Sequence, residues 1–316
     1  MRNRIQIPST DLALSPICLG TVNAGLAWDH AEAFAILEAY LDKGGNVIDT
    51  ARIYSDWVKP EIARSERVIG DWIRHRGHHD DFILITKGGH PCLDTVSTPR
   101  MKQTDMDHDI VLSLKTLGVD CIDLYFYHRD NPATPVGELL ETMEGYVREG
   151  KIRYYGCSNW KADRMEAAQA YARNHAMRGF VANQVLFNMG MKYMKPFPDP
   201  TMASVDEPMQ EFHRAEPGVL AMPYFGVCSG FYHQLDAKGE DAVKQSPYYT
   251  PDSIGVKAVI DRLREKYNAS ISQVLLGFFS AQDYPMVPLA GASTLNQLED
   301  IMHTLEIDFD AADFTI

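Results

Sequence analysis

Eight short runs of the chain are apolar on both faces, with segments of helical period between them. The runs are "PICLG" from Pro16, "NVID" from Asn46, "FILIT" from Phe82, "CIDLYFY" from Cys121, "IRYYGC" from Ile152, "FVANQV" from Phe180, "GVLAMP" from Gly218 and "MVPLA" from Met286. A strand with one wet face alternates apolar and polar residues; a strand buried on both faces does not. Such strands belong to a parallel sheet covered by helices. The intervening stretch "DHAEAFAILEAYLDKGG" places Phe34, Leu37 and Leu41 on one stripe and stops at two glycines, and "SIGVKAVIDRLREKYN" does the same with Val259, Leu263 and Tyr267. Eight strand–helix units in 316 residues predict an α/β fold, a single (β/α)8 barrel domain over 1–316. The stretch "RIQIPSTDLALS" ahead of Pro16 predicts an added β-hairpin. An open doubly wound sheet is the competing architecture.

The formal charge of −13 argues against nucleic acid or an anionic membrane as partner. The five cysteines, Cys18, Cys92, Cys121, Cys157 and Cys228, include no C-x-x-C pair and read as reduced thiols. The first residues hold no apolar signal core, and no run reaches membrane-spanning length. A cytoplasmic protein is expected, monomeric or homo-oligomeric, acting on a small molecule.

In a barrel, chemistry belongs at the C-terminal ends of the strands. Asp49 ends the second run and Tyr54 lies in the loop after it; Lys87 ends the third and His128 the fourth. Each of these residues alone is an ordinary structural one. Together they put a phenol, an ammonium, a carboxylate and an imidazole at one mouth. A phenol near an ammonium becomes a better proton donor. Lys87 would supply that charge, Asp49 would hold Lys87, and His128 would orient a carbonyl. A hydride donor is the missing part, and a cofactor must bring it.

The chain resembles the aldo-keto reductases. "GGNVIDTARIY" matches their Asp-Thr-Ala-x-x-Tyr segment, "LITKGG" their lysine strand, and "IDLYFYHRDNPATPVGELLETMEGYVREGKIRYYGCSNW" their longest signature. The likeness runs from the hairpin to about Glu306. It implies a catalytic tetrad of Asp49, Tyr54, Lys87 and His128, and an NAD(P)H-dependent reduction of a carbonyl substrate. Cofactor contacts are implied for Gly20 and Thr21, for Ser158, Asn159 and Gln184 around the nicotinamide carboxamide, and for Tyr224 stacking on the ring. Phe225, Gly226 and Gly230 follow on the pyrophosphate side, then Gly291, Ala292, Ser293, Gln297 and Asp300. Variable loops line the family's substrate pockets; here Trp28, Trp57, His90, Trp160 and the segment Met189 to Glu207 are the candidates, a mix that suits a sugar or other hydroxylated carbonyl.

The chain departs from its relatives in two places. Phe225 and Gly226 replace the usual Ser-Pro after the stacking tyrosine. In "AGASTLNQLEDI", Gly291, Ser293 and Gln297 stand where NADP-preferring members carry cations, and Asp300-Ile301 replaces Glu-Asn. The 2′-phosphate of NADP is usually read by Arg or Lys. NADP remains the first expectation, with NAD used alongside. Rival enzymes lack support: no two glycines are spaced G-x-G, no tyrosine has Lys four residues on, and the dense His78-His79-Asp80-Asp81 precedes a strand, at the wrong end for a barrel metal site. A nucleotide-binding regulatory subunit on the same scaffold is the non-enzyme alternative, and the complete tetrad favours catalysis over it.

Overall fold

The computed structural model describes residues 4–24, 26–197 and 199–314. The outermost ends of the expected 1–316 domain, and residue 198 of the candidate segment Met189 to Glu207, lie outside them. Strands β1 (Ile5–Gln6) and β2 (Ala13–Leu14) form the expected antiparallel hairpin, with Ile5 opposite Leu14. Eight parallel strands follow: β3 (Cys18–Gly20), β4 (Val47–Asp49), β5 (Ile83–Gly88), β6 (Ile122–Tyr127), β7 (Ile152–Ser158), β8 (Ala182–Gln184), β9 (Leu220–Ala221) and β10 (Leu289–Ala290). Each falls on one of the eight apolar runs.

The sheet order is β10-β3-β4-β5-β6-β7-β8-β9. The ring closes where Val287 N donates to the Ala221 carbonyl at 2.9 Å and Leu289 N to the Pro223 carbonyl at 2.7 Å. The interior fills with Cys18, Val47, Ile83, Ile85, Leu124, Phe126, Val287 and Leu289. Ile7, Leu12 and Leu14 of the hairpin join that cluster, so the hairpin covers the N-terminal end of the ring. Gly156 on β7 makes room for this packing: a Cβ there would stand 2.6 Å from the Phe126 ring and 2.7 Å from the Ala182 carbonyl oxygen.

Helices α1 (His30–Asp42), α2 (Arg64–Arg76), α3 (Gln103–Leu117), α4 (Val136–Arg148), α5 (Ala162–Asn174) and α6 (Glu207–Ala215) link the strands from β3 to β9. Helices α7 (Phe231–Lys238), α8 (Pro251–Tyr267) and α9 (Ile271–Ser280) follow β9, and α10 (Leu295–His303) follows β10. Side chains set several of their starts: Asp29, Asp206, Thr250, Ser270 and Thr294 accept from backbone N–H groups of the first turn. The buried faces are rotated from the stripes expected. On α1 they are Ala33, Ile36, Leu37 and Tyr40, while Phe34 packs on His75 of α2 with ring centroids 5.3 Å apart. On α8 they are Val256, Ile260 and Leu263. Among the described residues, no helix is long and apolar enough to cross a membrane.

Candidate active site

The eight strands each deliver a residue to one cleft of about 560 Å³. Gly20 ends β3, Asp49 ends β4, Lys87 lies near the end of β5, Ser158 ends β7 and Gln184 ends β8. His128, Tyr224 and Gly291 lie just past β6, β9 and β10. Parallel pairing makes this convergence automatic, because all eight strands finish on the same face. His78, Asp80 and Asp81 approach within 4.8 Å of one another, but in the loop ahead of β5, at the opposite end.

Lys87 is 1 % exposed and Asp49 is fully buried. Lys87 Nζ donates to Asp49 Oδ2 at 2.6 Å, to the Thr50 carbonyl at 2.8 Å and to Tyr54 Oη at 2.9 Å. All three of its N–H donors are used. Gln184 Nε2 donates to Asp49 Oδ1 at 2.8 Å. A buried ion pair is tolerated only when its remaining lone pairs are satisfied, and here they are. Burial works most strongly on the Lys87 ammonium, downward, yet Asp49 and Tyr54 together outweigh it and the net shift is upward. Burial pushes the Asp49 carboxyl up, opposed by Lys87 and Gln184.

Tyr54 behaves differently from the sequence expectation. Burial raises its phenol, and Lys87 pulls it only part of the way back. The group therefore stays protonated through neutrality. His128 meets the Tyr54 ring edge-on at 5.7 Å and the His90 ring at 4.8 Å. Neither ring nitrogen of His128 has a hydrogen-bond partner among the described residues. Burial holds both imidazoles neutral, His128 well below its ordinary value and His90 down to about 4. A buried, neutral, unpartnered imidazole beside a protonated phenol suits a ligand oxygen placed between the two.

Trp57, His90, Phe225 and Gly226 also line the cleft. Trp28 and Trp160 do not. Their indoles are 2 % and 0 % exposed and donate inward, to the carbonyls of Ala292 (2.9 Å) and Arg129 (3.2 Å). Thr21, Gly230, Ala292, Ser293, Gln297 and Asp300 also fall outside the lining. Thr21 is buried against Ser65 and the Asp49 carbonyl. Asp300 is taken up by Ser270 and Gln273 at the start of α9. Met202 represents the candidate segment Met189 to Glu207 in the lining; residues unforeseen there are Val22, Asn23, Ile53, Leu93, Arg129, Val227, Ser229 and Leu289. Only Arg129 carried a signal in the sequence, as the cation directly after His128.

The nicotinamide end of a dinucleotide fits this cleft. Tyr224 presents a ring whose hydroxyl is pinned to Asn159 Oδ1 at 2.6 Å. Gly20 and Gly291 keep the adjoining wall free of side chains, and a Cβ on Gly291 would stand 3.4 Å from the Gly20 carbonyl oxygen. The carboxamide contacts are less free than expected. Asn159 Nδ2 already donates to the His128 carbonyl and to Ser158 Oγ, and its Oδ1 also accepts from Ala203 N. The loop expected to meet the phosphate, Gly291 to Gln297, contains no Lys or Arg. Gln297 Oε1 accepts from Ser293 N at 2.7 Å, while Lys257 and Arg264 are tied to Asp236 and Asp261.

A family model described as the aldo/keto reductase family matches residues 16–316. This chain belongs to the aldo/keto reductase family. Among its relatives is the aldo-keto reductase str7 of Strobilurus tenacellus, 29 % identical over 87 % of this chain and 77 % of that protein. Another is the aryl-alcohol dehydrogenase GME11368 of Pestalotiopsis microspora, 25 % identical over 99 % of this chain and 80 % of the relative. The norsolorinic acid reductase B of Dothistroma septosporum is 26 % identical over 99 % and 80 % respectively. As an aldo/keto reductase, the chain is an oxidoreductase acting on a small carbonyl compound, and the family's cofactor is a nicotinamide nucleotide.

Proposed function

We propose that this aldo/keto reductase reduces an aryl aldehyde or ketone to the alcohol, with Tyr54 as the proton donor. The observation that carries the reading is the contact of Tyr54 Oη with Lys87 Nζ at 2.9 Å beside the unpartnered His128 imidazole. A bound nicotinamide supplies the hydride to the carbonyl carbon. The chain's own part is acid–base and positional. Tyr54 Oη accepts from Lys87, so its own hydrogen is the one available to the developing alkoxide. The neutral His128 ring orients the carbonyl oxygen, and Asp49 fixes Lys87. Ile53, Trp57, Leu93, Met202 and Phe225 give the wall an apolar and aromatic character. That wall, with relatives named for an aryl alcohol and for norsolorinic acid, favours an aromatic carbonyl over the sugar-like one expected from sequence. NADPH is the first cofactor on family grounds and NADH is accepted alongside. We place the enzyme in the cytoplasm, in keeping with its five unpaired cysteines.

Turnover of benzaldehyde with NADPH and with NADH, in wild type and Tyr54→Phe, tests the reading. Loss of the proton donor should lower kcat by about a hundredfold or more with dinucleotide Kd unchanged. Near-wild-type kcat in the variant removes Tyr54 from the chemistry.

A further inference from the structure

Arg129 lines the cleft and is only 9 % exposed. A guanidinium carries five N–H donors in a planar fork. Three are used: Nε donates to Thr201 Oγ1 at 2.8 Å, Nη1 to the His128 carbonyl at 3.0 Å and Nη2 to Asp199 Oδ2 at 3.0 Å. The other two, one on each terminal nitrogen, have no partner among the described residues. Arg129 as a whole is largely shielded from water at the cleft wall, where a charged donor gains from an acceptor that enters the cleft. The fork is also held still, because Asp199 Oδ1 accepts from both the backbone N and the hydroxyl of Thr201, at 2.9 and 2.6 Å.

The position argues against a role toward the cofactor's phosphates. In the ring order, β6 lies four strands from β10, on the opposite side of the barrel from the Gly291 loop. Arg129 follows His128 at the end of β6, on the side of His90 and Leu93. Its charge bears on Tyr54, His90, His128 and Tyr224, which puts it within electrostatic reach of the reacting group.

We propose that Arg129 is a specificity-determining residue whose two free N–H groups bind a carboxylate carried by the carbonyl substrate. This rests on the carbonyl-reductase reading above. The planar fork matches the two oxygens of a carboxylate better than a single hydroxyl. Asp199 cancels part of the positive charge, so selection comes from directed donors more than from net charge, and neutral carbonyls are still admitted.

The test compares kcat/KM for meta- and para-carboxybenzaldehyde with that for para-tolualdehyde, a neutral compound of similar size. Wild type should favour at least one carboxylated aldehyde by about tenfold or more, the worth of one charge-assisted hydrogen bond. Arg129→Met should bring the ratio near one, chiefly through KM, and Arg129→Lys should restore part of it. Asp199→Asn keeps an acceptor for the guanidinium but removes the countercharge, so the ratio should rise above wild type. That variant keeps the proposal testable if Arg129→Met does not fold. A wild type without preference, or an Asp199→Asn ratio at or below wild type, overturns the assignment of Arg129. Turnover of neither class of aldehyde overturns the carbonyl-reductase reading itself, whereas turnover without preference overturns only this inference.

Discussion

Gln184 donates its side-chain amide to Asp49 Oδ1 at 2.8 Å, while the other oxygen of that carboxylate takes Lys87 at 2.6 Å. Its side-chain N–H therefore braces the ion pair. Gln184→Ala leaves one buried carboxylate oxygen unsatisfied, and should cost about 1–3 kcal/mol of stability by urea titration. Unchanged stability with a large rise in dinucleotide Kd would give Gln184 back the cofactor role implied by its family.

With Tyr54 as the proposed proton donor, the pH dependence of the reaction follows from its phenol. Reduction needs the protonated phenol, and burial has raised it. The rate of reduction should stay level through neutrality and fall only above the ordinary tyrosine range, near ~10. Alcohol oxidation needs the phenolate and should rise over that same range. Lys87→Met removes the cation that donates to the phenol, so the alkaline limb should move further up, on a much lower rate. Profiles of kcat/KM in both directions check this, and an alkaline limb at or below neutrality contradicts it.

On the proposed reading, cofactor choice turns on the loop after β10. Ser293 and Gln297 offer neutral groups already bonded to each other, and Lys257 and Arg264 of α8 are engaged with aspartates. NADPH and NADH should therefore differ by about tenfold or less in kcat/KM, since a neutral hydrogen bond contributes about 1 kcal/mol against roughly 1.5–3 for a charged one. Ser293→Arg should raise the NADPH preference and make it sensitive to salt. Selectivity above roughly a thousandfold in wild type would mean that another basic group reaches the phosphate.

His213 provides a stability test remote from the cleft. It is 2 % exposed, stacked on Tyr284 at 5.6 Å, and burial lowers it to about 4. The folded state holds it neutral, while the unfolded chain protonates it near ~6.5. Its contribution is complete above that value and erodes as the pH falls toward about 4. The loss approaches about 1.4 kcal/mol per pH unit within the window. Denaturant midpoints measured across it should fall with acid in wild type and less steeply in His213→Gln; parallel curves would deny His213 this part.

The strands were legible because burial on both faces leaves a pattern that no surface strand shares. The helix faces were less so. Tyr40 of α1 is buried despite its hydroxyl because that group bonds Ser15 and the carbonyls of Ile17 and Val47, partners that no periodicity reveals. Trp28 and Trp160 were read as pocket walls since large aromatics often are; each indole N–H instead found a backbone carbonyl within the core. Asp49, Tyr54, Lys87 and His128 could be brought to one mouth from sequence because each sits at a strand end or in the loop that follows it. Arg129 was overlooked because Asp199 and Thr201, which hold it, lie 70 and 72 residues further along the chain.

The closure of the ring also sets an order of events in folding. Cys18 on the first ring strand is paired with Leu289 on the last, so the ring cannot be completed until nearly the whole chain has been synthesised. Ile7, Leu12 and Leu14 precede every ring strand, yet what they cover is the floor of that finished ring. The hairpin is thus made before the strands it covers, and its docking surface is complete only once Leu289 has joined Cys18.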